Sequence, residues 1–223
     1  MRYTDTAAGT FVSRPNRFIA QVELGGVQET VHVKNTGRCR ELLLPAARVI
    51  LSRSGNPARK TRYDLVAVWK EHTLVNIDSQ APNAAAKELL PRLFPGYAIR
   101  PETAWGASRF DFALEKDGRR AFLEVKGVTL EDGGRALFPD APTERGVKHL
   151  RELMRAVDEG YDAYVLFLVQ RKDCRVFSPN DETHPAFGEA LRQADRAGVR
   201  ILCYDCTVTE DALTADAPLP VKL

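Results

Sequence analysis

The chain has 223 residues, of which 44% are hydrophobic and 28% charged. This composition is ordinary for a globular protein and argues against disorder as the main state. Apolar runs such as residues 163–169 are too short to span a bilayer, and residues 1–10 lack the apolar stretch of a signal peptide. We therefore expect a cytoplasmic protein with no membrane partner.

Charge is unevenly distributed along the chain. The net charge is +2, yet residues 1–75 contain 12 Lys and Arg against 6 Asp and Glu, which leaves 20 against 24 in the rest. A basic first part beside an acidic second part indicates a polyanion-binding surface and a carboxylate-rich metal site. A solvated basic face without a ligand would give the same charge pattern.

Residues 16–78 alternate apolar and polar positions, a pattern typical of short β-strands. The strand-like runs fall at residues 18–24, 31–33, 48–51, 65–69 and 74–77. About five short strands with little helix favour a small closed barrel over a sandwich, and the OB-fold is the barrel of that size. We therefore predict an N-terminal five-stranded OB-fold β-barrel domain over residues 1–78.

Basic side chains lie near the turns and strand ends of this barrel, where an OB-type groove contacts a phosphate backbone. They are Arg14, Arg17, Lys34, Arg38, Arg40, Arg53, Arg59, Lys60 and Arg62. The nucleic-acid-binding candidates among them are Arg17, Lys34, Arg38 and Arg40. Phe18 and Trp69 could stack on bases, although an aromatic residue on an alternating strand more often packs in a core.

After Asp78 the pattern changes to helices and strands in alternation, which predicts a second domain over residues 79–223. The predicted elements are a helix at 83–93, strands at 97–102, 109–115 and 120–128, a helix at 143–159, a strand at 163–170, a helix at 185–197 and a strand at 199–204. This order predicts an α/β (α+β) domain whose mixed sheet is covered on both faces.

The pair Asp117-Gly118 is a strong signal for a two-residue hairpin turn. That turn would fix the register of the flanking strands, and counting outward from it places Asp111 opposite Glu124. Directly opposed residues have Cβ atoms about 5 Å apart, where like charges are destabilising unless something compensates them.

A divalent cation is the obvious compensation for this carboxylate pair. Asp and Glu oxygens suit Mg²⁺ or Mn²⁺, which hold water for attack on a phosphodiester. Lys126 would project from the same face as Glu124, where it can orient that water or stabilise charge on the phosphate. The alternative is that Asp111 and Glu124 are exposed carboxylates paired with Lys126 or Arg109.

An Asp followed by Glu-X-Lys resembles the active site of the PD-(D/E)XK nuclease superfamily, with Phe110 in place of the motif's proline. The element order resembles the αβββαβ core of that superfamily. Flanking residues make the likeness more specific. They are Pro82-Asn83, Glu102, Trp105-Gly106, and residues 108–111, 124–130, 138–141 and 143–150. With them the chain resembles the sugar fermentation stimulation protein A (SfsA) family from about residue 18 to about residue 204.

That resemblance implies an N-terminal OB-fold, a C-terminal restriction-endonuclease-like domain, DNA binding and a location in the cytosol. The family name records a link to the expression of sugar-utilisation genes, and a regulatory role is inferred for the family. The resemblance and the hairpin register agree on Asp111, Glu124 and Lys126 as catalytic residues.

Further site residues are expected around this centre. Glu102 is a candidate third metal ligand and Gln170 a candidate catalytic group, although each also suits a plain strand terminus. The candidate nucleic-acid contacts are Arg109, Arg145, Lys148 and His149. Arg145 and Lys148 lie near a predicted helix N-terminus, where phosphates bind, and a solvated basic face is the alternative. His149 could be a proton shuttle, but a structural hydrogen bond is more common.

Two functions fit these patterns best. The first is a Mg²⁺- or Mn²⁺-dependent nuclease that acts on DNA or RNA while the barrel holds the strand. The second is a non-catalytic DNA-binding regulator of sugar (maltose) metabolism genes, which the family resemblance suggests. An enzyme for a small phosphorylated substrate is a third, and a homodimer is left open. The presence of Asp111, Glu124 and Lys126 together favours the nuclease.

Overall fold

The computed structural model describes residues 1–35, 37, 39–106 and 108–223. The N-terminal part holds β1 (Thr6–Asn16), β2 (Ile19–Leu24), β3 (Val27–Val33), β4 (Arg48–Arg53), β5 (Tyr63–Lys70) and β6 (Thr73–Asn76). The C-terminal part holds α1 (Ala81–Leu93), β7 (Ala98–Trp105), β8 (Ser108–Lys116), β9 (Arg119–Val128), β10 (Leu130–Asp132), β11 (Arg135–Phe138), α2 (Glu144–Asp158), β12 (Asp162–Val169), β13 (Val176–Pro179), α3 (Pro185–Arg196), β14 (Arg200–Thr209) and β15 (Ala212–Pro218).

Strands β1 to β5 form a closed barrel. Strand β1 pairs antiparallel with β2 and β4, β2 pairs with β3, β4 pairs with β5, and a short parallel pairing of β3 with β5 closes the ring. Alternating residues such as Val22, Val31 and Val49 fill its interior. The predicted five-stranded barrel is confirmed, but β1 is not among the predicted strands, and the strand predicted at 74–77 is β6, which pairs with the outer edge of β5.

The C-terminal part is built on a six-stranded mixed sheet in the order β15-β14-β12-β9-β8-β7. Its central strands β9, β12 and β14 are parallel, and its outer strands are antiparallel. Helix α1 covers one face, where Leu89 and Leu90 pack with Leu123 and Leu166. Helices α2 and α3 cover the other, where Leu150 and Leu191 belong to a second core. The predicted mixed sheet with two covered faces is therefore confirmed.

The residues at the two ends of α2 set its bounds close to the predicted ones. The Thr143 hydroxyl accepts a hydrogen bond from the Gly146 backbone N–H at 3.1 Å, and Gly160 has a φ of 88° just after the helix ends. Strand β15 and the small sheet of β10, β11 and β13 are additions to the predicted elements.

The two parts contact each other through polar groups. The Asn76 backbone N–H donates to the Gln170 carbonyl at 2.9 Å, and Lys70 contacts Glu131 at 3.2 Å. Within the described ranges no helix is both long and apolar enough to cross a membrane.

Candidate metal and nucleic-acid site

The hairpin between β8 and β9 sets the position of the candidate site. Asp117 and Gly118 have φ angles of 50° and 75°, as the tight turn of a two-residue hairpin requires. Lys116 pairs with Arg119, and the ladder continues in register to Phe112 opposite Leu123. The predicted turn and register are therefore confirmed over this part of the hairpin.

Beyond Phe112 the ladder opens, and side-chain contacts hold Asp111 in place. Its Oδ2 accepts a hydrogen bond from the Val125 backbone N–H at 2.7 Å, and its Oδ1 accepts one from the Asn83 amide at 2.8 Å. Asp side chains compete readily with backbone ladders in this way. The direct pairing predicted for Asp111 and Glu124 is thus replaced by a looser arrangement where β8 and β9 separate.

Glu124 is 3% exposed and is held through one of its two oxygens. Lys126 Nζ donates to Oε1 at 2.6 Å, and His149 Nδ1 contacts the same oxygen. Oε2 is buried and has no hydrogen-bond partner among the described residues. Burial favours the protonated acid, but the hydrogen bond from His149 and the charge of Lys126 outweigh it, so the pKa of Glu124 is lowered and the group is ionised.

Asp111 has the opposite shift. Burial raises its pKa most, the charge of Glu124 raises it further, and the Val125 N–H and Asn83 amide oppose them only in part. The Val125 N–H that binds Asp111 belongs to the residue directly after Glu124, so the two carboxylates lie on neighbouring parts of the hairpin. Asp111 is held by α1 through Asn83 and Glu124 by α2 through His149, so the two carboxylates are held from opposite faces of the sheet.

The donor set suits a hard divalent cation. Two nearby carboxylates, one with a buried oxygen that lacks a partner, offer oxygen ligands and excess negative charge. In the described part of the chain, no cluster of three or more His, Cys, Asp or Glu side chains could hold a metal. One or two carboxylates are nevertheless sufficient for Mg²⁺, which keeps several of its waters.

Two of the outlying candidates have other contacts. Glu102 pairs with Arg109 at 3.3 Å, and both side chains are exposed. Gln170 is buried and donates from Nε2 to Asn76 Oδ1 at 2.8 Å and to the Asp78 carbonyl at 3.1 Å. Neither Glu102 nor Gln170 forms a hydrogen bond or ion pair with Asp111 or Glu124 in the described ranges, so the metal and catalytic roles expected for them stay predictions.

Helix α2 contributes differently from expectation. His149 is 5% exposed and contacts Glu124, which fits the structural hydrogen bond given above as its alternative, and its contact to nucleic acid stays a prediction. Arg145 Nε donates to His149 Nε2 at 3.3 Å, which assigns the imidazole proton to Nδ1, facing Glu124. Lys148 is exposed and lies 3.8 Å from the buried Glu152, so it remains available at the surface.

The barrel candidates also separate into two kinds. Arg17 and Phe18 lie between β1 and β2, with the guanidinium 4.7 Å from the ring centre, and Phe18 is 44% exposed, so it is not a core residue. Arg40 is exposed too. Lys34 instead contacts the buried Asp78 at 2.8 Å, which is a structural ion pair. Arg38 lies outside the described residues.

Comparison with known proteins supports one family throughout. Residues 80–212 match the model of the sugar fermentation stimulation protein RE domain, and residues 12–77 match the SfsA N-terminal OB domain. A sugar fermentation stimulation protein homolog of Desulfitobacterium hafniense (strain Y51) is 56% identical over 100% of this chain and 99% of its own. A homolog from Clostridium beijerinckii is 50% identical over 96% of each chain. The solved structure of Pyrococcus furiosus SfsA in complex with Ca²⁺ is 28% identical, covers 100% of this chain and 98% of that one, and has a TM-score of 0.89.

Proposed function

The chain belongs to the sugar fermentation stimulation protein (SfsA) family, and we propose that it is a DNA-binding, divalent-metal-dependent nuclease with DNA as substrate and RNA as the second choice. The observation that carries this proposal is the buried Oε2 of Glu124, which has no hydrogen-bond partner among the described residues, on the strand that also binds Asp111. Two carboxylates beside one lysine leave an excess of negative charge, which costs stability, so a bound cation gives the arrangement a physical reason. The Pyrococcus furiosus SfsA structure is a complex with Ca²⁺, which supports the same class of ion.

Asp111 and Glu124 would hold Mg²⁺ or Mn²⁺, which when bound supplies an activated water and neutralises charge on the phosphate. His149 and Lys126 both contact Glu124 Oε1, which leaves Oε2 to face the cation. The Lys126 ammonium group adds positive charge beside the carboxylates, where it can stabilise the charge that develops on a phosphate.

The exposed surface offers groups that would hold the strand. Arg17 stacked on the exposed Phe18 provides a cation and an aromatic face, the combination that OB-folds use for single-stranded nucleic acid. Arg145 and Lys148 lie in the first turns of α2, where the helix N-terminus also favours phosphate.

The test measures cation binding and cleavage separately. Isothermal titration with Mn²⁺ and Mg²⁺ is expected to give binding to the wild-type protein and none to Asp111→Ala. Labelled single- and double-stranded DNA and RNA are then incubated with Mn²⁺, Mg²⁺ or chelator, and cleavage is expected only with metal and only when Asp111 is present. Glu115→Gln, an exposed carboxylate on the same strand, is the matched control and should behave as wild type.

Two results would contradict the proposal in different ways. Metal-dependent cleavage that survives Asp111→Ala would remove the site assignment. Binding that falls steeply with salt, with no cleavage of any substrate, would favour the non-catalytic regulator instead.

A further inference from the structure

A cleft lies between the barrel and the sheet, near the C-terminal end of β9. Its volume is ≈ 110 Å³, which leaves room for one small group rather than for a larger ligand. Asn35 and Ser79 line it from the barrel side, and Gly127 and Gln170 line it from the sheet side. Gly127 follows Lys126 in β9, so one strand joins the cleft to the candidate site, and the two residues face opposite sides of the sheet.

The inner wall of the cleft presents an oriented acceptor. Gln170 is buried, and its Nε2 donates to Asn76 and to the Asp78 carbonyl, which fixes the amide so that Oε1 faces Gly127. Oε1 forms no hydrogen bond with any residue the structure describes. A Cβ at residue 127 would collide with this Oε1 and would lie 2.7 Å from Pro82 Cγ, so glycine keeps the wall closed and the acceptor in place.

The outer wall combines an apolar ring with a second acceptor. Phe138 lines the cleft, and Asp140 stands at its mouth, close enough to the barrel that a Cβ at Gly37 would be 2.5 Å from Asp140 Oδ2. The Asp140 carboxylate is an acceptor, which favours a group that donates hydrogen bonds. Two acceptors and an aromatic ring in the lining of one cleft suit a flat group that donates hydrogen bonds.

We propose that this interdomain cleft binds one unstacked nucleobase that carries an exocyclic amine, beside the phosphate held at the carboxylate site. This proposal rests on the proposed nucleic-acid function. Cytosine, adenine and guanine carry such amines and thymine does not, and Asp commonly accepts from the cytosine amine. A base is extruded at least cost from a single strand, which the OB barrel would present.

The test is a binding measurement in chelator, where cleavage cannot occur. Fluorescence anisotropy compares a thymidine homo-oligonucleotide of about 12 nucleotides, a typical OB-fold site size, with the same strand carrying one central deoxycytidine. The cytidine strand is expected to bind wild-type protein about five- to tenfold more tightly, the effect of one or two hydrogen bonds. Asp140→Ala and Asp140→Ser should each bind the two strands equally while keeping the wild-type affinity for thymidine.

A control variant tests whether the effect is specific to Asp140, and two results would contradict the proposal. Asp195→Ala removes an exposed carboxylate from α3 and should retain the full preference for cytidine. Equal binding of both strands by the wild type, or an equal loss for both strands in the Asp140 variants, would overturn the base site alone. Failure of the wild type to bind either strand or any duplex would overturn the proposed nucleic-acid function together with it.

Discussion

Two of the places where the molecule buries charge are built differently. At the contact between the two parts, Arg171 is 1% exposed and lies 3.1 Å from Glu131 and 2.5 Å from Asp173, and Lys70 adds a second cation to Glu131 at 3.2 Å. At the opening of the β8–β9 hairpin, two carboxylates lie beside one lysine, and an oxygen of Glu124 has no partner in the described part of the chain. The first cluster is balanced and the second is not.

The difference in charge balance indicates a structural role for the first cluster and a functional role for the second. A balanced buried cluster is destabilising to break, because removal of one partner leaves the other charge buried and alone. An unbalanced cluster is itself destabilising, and strained or perturbed charges of that kind concentrate at functional sites. Substitutions in the two clusters should therefore have opposite effects on stability and on activity.

The largest expected effect is a loss of activity at the unbalanced cluster. Asp111→Asn should lower the rate of metal-dependent cleavage about a thousandfold, or about 4 kcal/mol, because one ligand of the cation is lost. Its melting temperature without metal should stay the same or rise, since the raised pKa of Asp111 means that its ionised form is disfavoured in the folded state. Single-turnover cleavage and calorimetric unfolding measure the two quantities.

A melting temperature of Asp111→Asn well below that of the wild type, with no such drop in Glu115→Gln, would contradict the proposed difference between the two clusters. That outcome would make Asp111 a structural residue like those of the balanced cluster.

The next effect is a loss of stability at the balanced cluster. Arg171→Met should lower the free energy of unfolding by about 3 kcal/mol, because Glu131 and Asp173 lose their buried cation. Urea unfolding measures this change. The cleavage rate per folded molecule should be unchanged, since the cluster does not contact Asp111 or Glu124 among the described residues. Arg175→Met removes an exposed neighbour and should change stability by no more than about 0.5 kcal/mol. Equal effects of the two substitutions would refute the structural role of Arg171.

A smaller effect tests how Glu124 is positioned. His149→Leu should weaken Mn²⁺ binding about 10- to 100-fold, the usual cost of losing a group that orients a metal ligand. His149→Asn should restore much of the affinity, because its amide can donate near the position of Nδ1. Isothermal titration measures both variants. Wild-type affinity in His149→Leu would remove the positioning role.

The parts of the site that could be predicted from sequence are local. The Asp117-Gly118 turn fixes its own register within a few residues, so it brought Asp111 and Glu124 near each other without knowledge of the rest of the fold. The balance of charges could not be predicted in that way. It depends on His149, whose position beside the leucines of α2 is compatible with either a solvated or a buried face.

Non-local packing also explains the strand that the sequence pattern missed. Strand β1 is rich in small and polar residues and lacks strict alternation, so its pairing with β2 and β4 depends on closure of the barrel. Closure of the barrel brings β1 so close to β2 that a Cβ at Gly9 would lie 2.7 Å from Val22 Cγ1. The strand predicted at 74–77 has the stronger apolar pattern, yet it lies outside the ring as β6.

The smallest expected effect is a difference in acid stability. Burial raises the pKa of Asp173, but the hydrogen bond and charge of Arg171 outweigh it, and the Gly134 N–H together with Lys70 and Arg171 lowers the pKa of Glu131. Both folded pKa values are therefore below the unfolded ones, which are about 3.9 for Asp and 4.3 for Glu. The stability that these carboxylates contribute is present above the unfolded values and is lost as pH falls through the folded ones.

Melting temperatures recorded from about pH 7 to pH 3 in chelator should thus converge for wild type and Arg171→Met. Acid protonates Glu131 and Asp173 in the wild type and so removes the stabilisation that the substitution has already removed. The contribution of Asp111 to stability changes with pH in the opposite direction, because its raised pKa means that protonation stabilises the folded state. Any stability advantage of Asp111→Asn over wild type should accordingly be greatest near neutral pH and shrink in acid. A constant gap across this range for Arg171→Met would show that lost packing, rather than charge, explains its instability.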